Sequence, residues 1–105
     1  MAQFDVYKNP SKTSGKVFPY LVDIQSPVIS ELATRIVIPL GNADLLNNEL
    51  LSRLTPEINY NDENLLLLTP QLSSVPSKIL SEPIGTLAHF REQIINSLDF
   101  AITGI

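Results

Sequence analysis

Residues 17–40 read VFPYLVDIQSPVISELATRIVIPL and decide the fold of this chain. Near each end of this stretch, apolar side chains alternate with other residues, a period typical of strands. Proline lacks the amide that a ladder needs, so Pro39 indicates a ladder break, at an edge or a bulge, where the second run ends. An irregular loop with the apolar pair Val28 and Ile29 separates the runs. The stretch predicts two strands, over residues 17–25 and 34–40.

Outward from this stretch, the chain predicts more short strands. The run at 3–8 alternates, which predicts a strand with Phe4 and Val6 buried and Tyr7 on the other face. Turn formers at 9–16 predict an exposed, mobile hairpin loop. Asn61 and Asp62 tolerate left-handed geometry, which predicts a hairpin of strands 57–60 and 63–69. The leucine run at 65–68 is expected to be buried on both faces, and further strands are predicted at 72–75 and 78–80.

Helical spacing of apolar residues occurs twice. A short helix is expected over 43–46. From Leu87 to Ile102 apolar residues recur at intervals of three and four, Thr86 is placed to cap the first turn and Gly104 to end the helix, which predicts about sixteen helical residues. The order predicts a mostly β fold with a C-terminal α-helix, in which short antiparallel strands form a small curved barrel that carries the helix.

Length and charge restrict the function. The 105 residues predict one domain over residues 1–105. Acidic side chains outnumber basic ones by 11 to 7, and the net charge of −4 argues against a nucleic-acid groove. Only 17% of residues are charged, below the average of about 25%, so some apolar surface is expected to lie between chains. The absence of cysteine, of a signal pattern and of a long apolar run predicts a cytoplasmic protein without membrane contact.

Few residue types in this chain suit catalysis or cofactor binding. The four glycines are too far apart for a phosphate-cradling loop, and neither a cofactor nor a metal is expected. His89, the single histidine, is expected on the helix and partly exposed. The acidic pair at 62–63 is expected in a solvated turn, because neighbouring strand residues point to opposite faces. A grouping of Asp23, Arg35 and His89 leaves acid–base cleavage of RNA open.

Two apolar features do not fit a simple core. Val28 and Ile29 follow a proline in a loop, and the sequence ends on ITGI at 102–105, where termini are usually polar. From the residues alone, packing and partner contact are equally compatible with both features.

Separated blocks of the chain resemble the CcdB family of plasmid and chromosomal toxins. They match in order and end to end, as QFDVY at 3–7, YLVDIQS at 20–26, RIVIPL at 35–40, SVP at 74–76, and a helix that runs into TGI at 103–105. The resemblance implies an SH3-like barrel with a C-terminal helix, assembled as a homodimer.

The resemblance also implies a toxin that is not an enzyme. Such a toxin binds the dimerisation region of the DNA gyrase A subunit and traps the intermediate in which gyrase is covalently joined to cleaved DNA. A CcdA-like antitoxin neutralises the toxin through a segment that is disordered when free, and supplies the DNA-binding part of an autorepressing complex. Contact with DNA is therefore expected only through the antitoxin or gyrase.

Carried over position by position, the resemblance implies two sets of partner contacts. Gyrase contact falls on Thr103, Gly104 and Ile105. Antitoxin contact falls on Ser26, Val28, Ile29, Asn96, Asp99 and Ile102. The best-known family member has Trp at the position of Thr103 and Asn at that of Asp99. Glycine lets two backbones approach closely, and a two-fold dimer can present paired tips to a two-fold target.

Two other functions stay open. One is a ribonuclease on the same fold, as in the MazF-like toxins, which requires acid–base residues that converge on a positively charged groove. The other is a homologue that has lost toxicity through Thr103 and titrates antitoxin.

Overall fold

The computed structural model describes residues 2–27, 32–43 and 54–104, which form a curved antiparallel half-barrel and a C-terminal helix. Short 3₁₀ helices lie at Thr69–Gln71, Ser77–Ile79 and Ala88–Phe90. In chain order the other elements are β1 (Asp5–Lys8), β2 (Tyr20–Asp23), β3 (Thr34–Asn42), β4 (Glu57–Tyr60), β5 (Glu63–Leu67), β6 (Ser73–Pro76), β7 (Gly85–Thr86) and α1 (Arg91–Thr103). The mostly β class with a terminal helix is confirmed.

Strand β3 lies at the centre of the sheet. It pairs with β2 on one side and with β5 and β6 on the other, and the strand order is β4-β5-β3-β2-β1-β7. At the ends of that order, the Tyr60 hydroxyl lies 3.4 Å from the carbonyl oxygen of Ile84, and a Cβ on Gly85 would clash with the same hydroxyl. Within the described residues, β4 and β7 form no backbone ladder, and the Tyr60 side chain lies between these two end strands.

Pro39 does not end β3. The strand continues to Asn42, so the predicted end at Leu40 is wrong. The Pro39 carbonyl accepts the amide of Leu68 at 3.0 Å, and the amide and carbonyl of one strand residue point to the same side. The missing amide of Pro39 therefore faces the gap between β6 and β5, which pair with β3 on either side of it. Proline is tolerated there because the position needs no ladder donor.

Both faces of the central strands are buried. One core cluster contains Phe4, Val6, Val22, Ile24, Ile38, Leu40, Ile58, Leu65, Leu67, Leu87 and Ile94. A second cluster contains Tyr7, Leu21, Val37 and Leu80, with Val75 packed against it. The open face predicted for Tyr7 is wrong, because Val75 of β6 and Leu80 cover it. The burial of the leucine run at 65–68 is confirmed.

The Tyr7 hydroxyl is buried and has no hydrogen-bond partner within the described part of the chain. A buried polar group without a partner costs about 1–3 kcal/mol. We therefore expect Tyr7→Phe to raise the free energy of unfolding by about 1 kcal/mol at neutral pH. Urea denaturation of both proteins measures the difference, and a clear loss of stability in the variant would contradict the expectation.

The same substitution has an expected pH signature. Burial, followed by the carboxylates of Asp5 and Asp23, raises the pKa of Tyr7 above its ordinary value of 10.0. A pKa that is higher in the folded state contributes stability below the unfolded value, and this contribution is lost as the pH rises through the folded value. The stability gain of Tyr7→Phe should therefore grow above pH 10.0.

The hairpin between β4 and β5 is confirmed. Its turn residues Asn61 and Asp62 have φ angles of 54° and 61°, the left-handed values that Asn and Asp tolerate. The strand predicted at 72–75 is found one residue later as β6.

The strand predicted at 78–80 is wrong. The chain turns into a 3₁₀ helix at Ser77–Ile79 because the amide and the hydroxyl of Ser77 both donate to the carbonyl of Ala33, at 2.8 and 2.9 Å. The helix predicted at 43–46 lies outside the described residues, apart from Ala43.

The C-terminal helix begins later than its periodicity predicts. Thr86 Oγ1 accepts the amide of Ala88 at 3.1 Å, ahead of the 3₁₀ helix, and Phe90 takes the N-cap position of α1, so the capping of α1 predicted for Thr86 is wrong. Thr86 itself pairs with Asp5 of β1, and α1 has 13 residues. No helix in the described ranges is both long and apolar enough to cross a membrane.

Candidate partner-binding surface

Helix α1 packs against the rest of the fold through the buried residues of one face. Ile94 and Ser97 are buried, and Ile94 belongs to the first core cluster. The Ser97 hydroxyl donates to the carbonyl of Ile94 at 2.8 Å and accepts the hydroxyl of Thr69 at 3.0 Å. A buried polar pair of this kind sets the rotation of the helix, because turning the helix would take the Ser97 acceptor away from the buried Thr69 hydroxyl.

The opposite side of α1 is exposed and carries the residues singled out in the sequence. Asn96, Asp99 and Thr103 are exposed and follow each other at intervals of three and four, so they lie on one face. The Ile102 side chain is 76% exposed, the largest exposure among the described large apolar residues. The structure thus brings four of the predicted contact residues to one end and one side of the helix.

The tip of α1 has room for a partner. Gly104 adopts a left-handed φ of 75° and donates its amide to the carbonyl of Phe100 at 3.0 Å, which ends the helix. A Cβ on Gly104 would meet no atom within 4 Å. Thr103 Oγ1 donates to the carbonyl of Asp99 at 2.6 Å, so this side chain folds back on its own helix. Ile105 lies outside the described residues.

A buried ion pair anchors the strand ends from which the 26–33 segment departs. The Arg35 guanidinium contacts Asp23 Oδ2 through Nη2 at 2.6 Å and through Nε at 2.8 Å. Asp23 Oδ1 accepts the amide of Gln25 at 2.9 Å, and Gln25 Oε1 accepts the amide of Ile36 at 3.1 Å. Ser26 follows this cluster and is exposed. Val28 and Ile29 lie outside the described residues.

Gln3 links this cluster's strand to the start of α1. Its amide donates to the carbonyl of Ile24 at 3.2 Å, and its Oε1 accepts Arg91 Nη1 at 3.5 Å. The Arg91 guanidinium also lies 5.6 Å from the centre of the Phe4 ring. The backbone at Ile24, two residues before Ser26, is therefore linked to the first turn of α1. Thr103 lies at the far end of the helix, about 18 Å along its axis.

The grouping of Asp23, Arg35 and His89 does not form an open acid–base centre. Asp23 and Arg35 are brought together, but their side chains are 0% and 1% exposed. His89 is exposed on the 3₁₀ helix, and its ring centre lies 4.4 Å from that of Phe90. The register of β2 against β3 explains the ion pair, because it places the acid and the base on the same face of neighbouring strands at a diagonal position.

The acidic pair is also not a joint site. Asp62 is in the exposed turn, and Glu63 Oε2 accepts the Tyr20 hydroxyl at 2.8 Å. Across the described ranges, no group of three or more His, Cys, Asp or Glu residues is arranged to hold a metal ion.

Comparison with known proteins gives the family. The sequence profile of the family described as CcdB protein matches residues 3–104. The chain belongs to the CcdB family. A CcdB-family chain is a toxin of a toxin–antitoxin system, and its partner is an antitoxin. Among solved structures, the Mycobacterium tuberculosis toxin MazF-mt6 is similar, with a TM-score of 0.69, 12% identity and 97% coverage of each chain. At 12% identity, this similarity shows that the two proteins share a fold, and it shows nothing about a shared activity.

Proposed function

We infer that this chain poisons DNA gyrase by docking the end of α1 on the gyrase A subunit, and that a CcdA-like antitoxin releases it. The observation that carries the proposal is the tip of α1, where the exposed Ile102 precedes a glycine with open space around it. An apolar side chain beside a backbone without Cβ lets a partner pack closely against the chain.

The proposal includes a homodimer. Two copies related by a two-fold axis would present two such tips, which suits a target that is itself two-fold symmetric. The hydrogen bond between Ser97 and Thr69 supports docking through the end of α1. A helix that is held in a fixed orientation loses little conformational entropy on binding.

The layout of the surface also suits the proposed antitoxin. Asn96, Asp99 and Ile102 lie along α1, and Ser26 follows Ile24, whose carbonyl is linked through Gln3 to the other end of that helix. A compact partner would cover one end, whereas an extended segment can follow the whole length. A segment that is disordered when free and orders on the toxin fits such a surface. Since the far end of that surface includes the gyrase-docking tip, antitoxin and gyrase would compete.

We further propose that the chain is not an enzyme. Two of the residues that suit acid–base chemistry have a structural role instead, because Asp23 and Arg35 hold the ends of β2 and β3 together in the interior. The ribonuclease alternative draws support from the shared fold with MazF-mt6, and it is kept as an outcome of the test.

The test is induction of the chain in cells whose gyrase is sensitive to CcdB toxins, without antitoxin. Cells are lysed in detergent, and DNA held covalently on gyrase and the integrity of cellular RNA are measured in the same samples. We expect growth arrest with trapped DNA and intact RNA. Fragmented RNA without trapped DNA would favour the ribonuclease, and unimpaired growth would favour the antitoxin-titrating homologue.

Thr103 gives a quantitative prediction. Replacing this exposed residue by Trp, the residue of the best-known family member, should supply an aromatic anchor. An aromatic hot spot contributes about 2 kcal/mol or more, so Thr103→Trp should lower the concentration needed to trap DNA by at least about tenfold. Thr103→Ala is the matched control for the lost Oγ1 hydrogen bond and should change little. Equal potency of the wild type and the Trp variant would show that this position makes no gyrase contact.

A further inference from the structure

A groove of about 730 Å³ lies between the β1–β2 loop and the segment that leads into β7. Lys12, Gly15 and Lys16 of the loop form one wall. Ile79, Ser81 and Ile84 line the groove as well, with Lys8, Pro19 and Tyr20 between. None of its lining residues belongs to α1 or the tip, so this lysine groove is distinct from the surface assigned above.

The loop wall is built by its own hydrogen bonds. The Asn9 side-chain amide donates to the carbonyl of Phe18 at 2.7 Å and to Ser14 Oγ at 3.2 Å. The amides of Gly15 and Phe18 each donate to the carbonyl four residues earlier, at 3.1 and 2.8 Å. Lys12 and Lys16 of this loop both line the groove. The turn-forming residues at 9–16, which the sequence predicts only as a connecting loop, therefore place two lysines in the wall of the groove.

The lysine groove is positively charged on an acidic protein. It holds three of the seven Lys and Arg residues of a chain whose net charge is −4. Within the described ranges, the ion pair is Arg35–Asp23, and no carboxylate lies within 4.0 Å of the ammonium groups of Lys8, Lys12 or Lys16. As far as the described ranges show, these three cations can pair with carboxylates or phosphates of a partner.

The apolar wall decides between those two anions. Ile79 and Ile84 are 42% and 52% exposed, and both face the groove. A phosphate backbone could pair with the lysines but would leave these two apolar side chains uncovered. A peptide can satisfy both walls, because acidic and apolar side chains alternate readily along an extended chain. We propose that the lysine groove binds an acidic, extended protein segment whose carboxylate side chains pair with Lys8, Lys12 and Lys16 and whose apolar side chains pack on Ile79 and Ile84.

The proposal is tested by direct binding to the full chain. The probe is a short fluorescent peptide that alternates glutamate with leucine, and the matched probes replace either glutamate by glutamine or leucine by serine. Fluorescence anisotropy should show binding of the first peptide that weakens with added salt, and weaker binding of both matched peptides. Equal binding of the glutamine peptide would overturn the proposal, as would tighter binding of a single-stranded RNA of similar length.

Protein variants test whether the peptide occupies the groove. Each exposed ion pair contributes about 0.2–1 kcal/mol, so Lys12→Gln with Lys16→Gln should weaken binding of the glutamate peptide about 2- to 30-fold. Ile84→Ser should also weaken binding but leave its salt dependence unchanged, because the substitution removes apolar contact and no charge. Circular dichroism checks that each variant keeps the fold.

The matched control is a lysine elsewhere on the surface. Lys78→Gln removes an exposed lysine that does not line the groove, and it should leave the affinity for the glutamate peptide unchanged. An equal loss of affinity in Lys78→Gln and in the double lysine variant would show unspecific attraction and overturn the proposal. That result is independent of any result with gyrase.

Discussion

Gly104→Arg should abolish growth arrest while the protein stays folded. The wild-type glycine has a left-handed φ of 75°, and nothing lies within 4 Å of the position that a Cβ would take. An arginine there has space in the free protein, but it would stand between the tip and a docked partner. We expect affinity for the gyrase A subunit to fall by at least about a hundredfold, the effect of a hot-spot change of roughly 3 kcal/mol.

Gly104→Ala separates blockage from backbone strain. Any side chain in the left-handed region costs about 1–2 kcal/mol, and alanine carries that cost without the bulk of arginine. Both variants should keep the melting behaviour of the wild type to within a few degrees, since the position is at an exposed helix end. If alanine abolished activity as fully as arginine, the left-handed geometry and not the open space would be the requirement. An arginine variant that still arrests growth would show that the tip is not the docking site.

Asp23→Ala should strongly destabilise the fold. It removes the carboxylate that receives both Nε and Nη2 of Arg35 in the interior and leaves a guanidinium buried without that partner. Breaking a buried pair in this way costs about 3–5 kcal/mol, a large part of the total stability of a small domain, which is about 5–15 kcal/mol. Chemical denaturation would measure the loss.

Two comparisons make the expectation for Asp23 specific. Asp99→Ala removes an exposed carboxylate of the same type and should change stability by no more than about 0.5 kcal/mol. Asp23→Leu combined with Arg35→Met removes both charges and should recover much of the loss, because an apolar pair can replace a buried ion pair. A stable Asp23→Ala protein that had lost a ribonuclease activity would instead assign Asp23 to catalysis.

Much of the fold follows from local patterns. The period of two locates β1, β2 and β3, the Asn61 and Asp62 pair marks the hairpin, and the final change of period marks α1. The burial of Tyr7 could not be read in the same way, because its cover comes from Leu80 and Val75, which are remote in sequence. The prediction that β3 ends just after Pro39 was wrong for a similar reason. The position of Pro39 between the two partner strands β6 and β5 depends on the register of the whole sheet.

In the candidate surfaces, too, local spacing predicts some features, whereas others depend on tertiary contacts. Helical spacing predicts that Asn96 and Asp99 share a face, and the structure places them on one. The Asp23–Arg35 pair requires the register of β2 against β3, so composition alone left it open to a catalytic interpretation. The lysine groove requires the hydrogen bonds of the β1–β2 loop, which no periodic pattern reveals.

The most direct test of gyrase poisoning uses purified components. The full chain is incubated with supercoiled plasmid, ATP and gyrase purified from a strain whose growth the chain arrests. The reaction is then stopped with detergent and treated with protease. We predict cleaved plasmid with the wild-type chain, none with Gly104→Arg, and loss of the cleavage when a CcdA-like antitoxin is added. Plasmid that stays intact at concentrations of the wild-type chain that saturate gyrase would contradict the proposed mechanism.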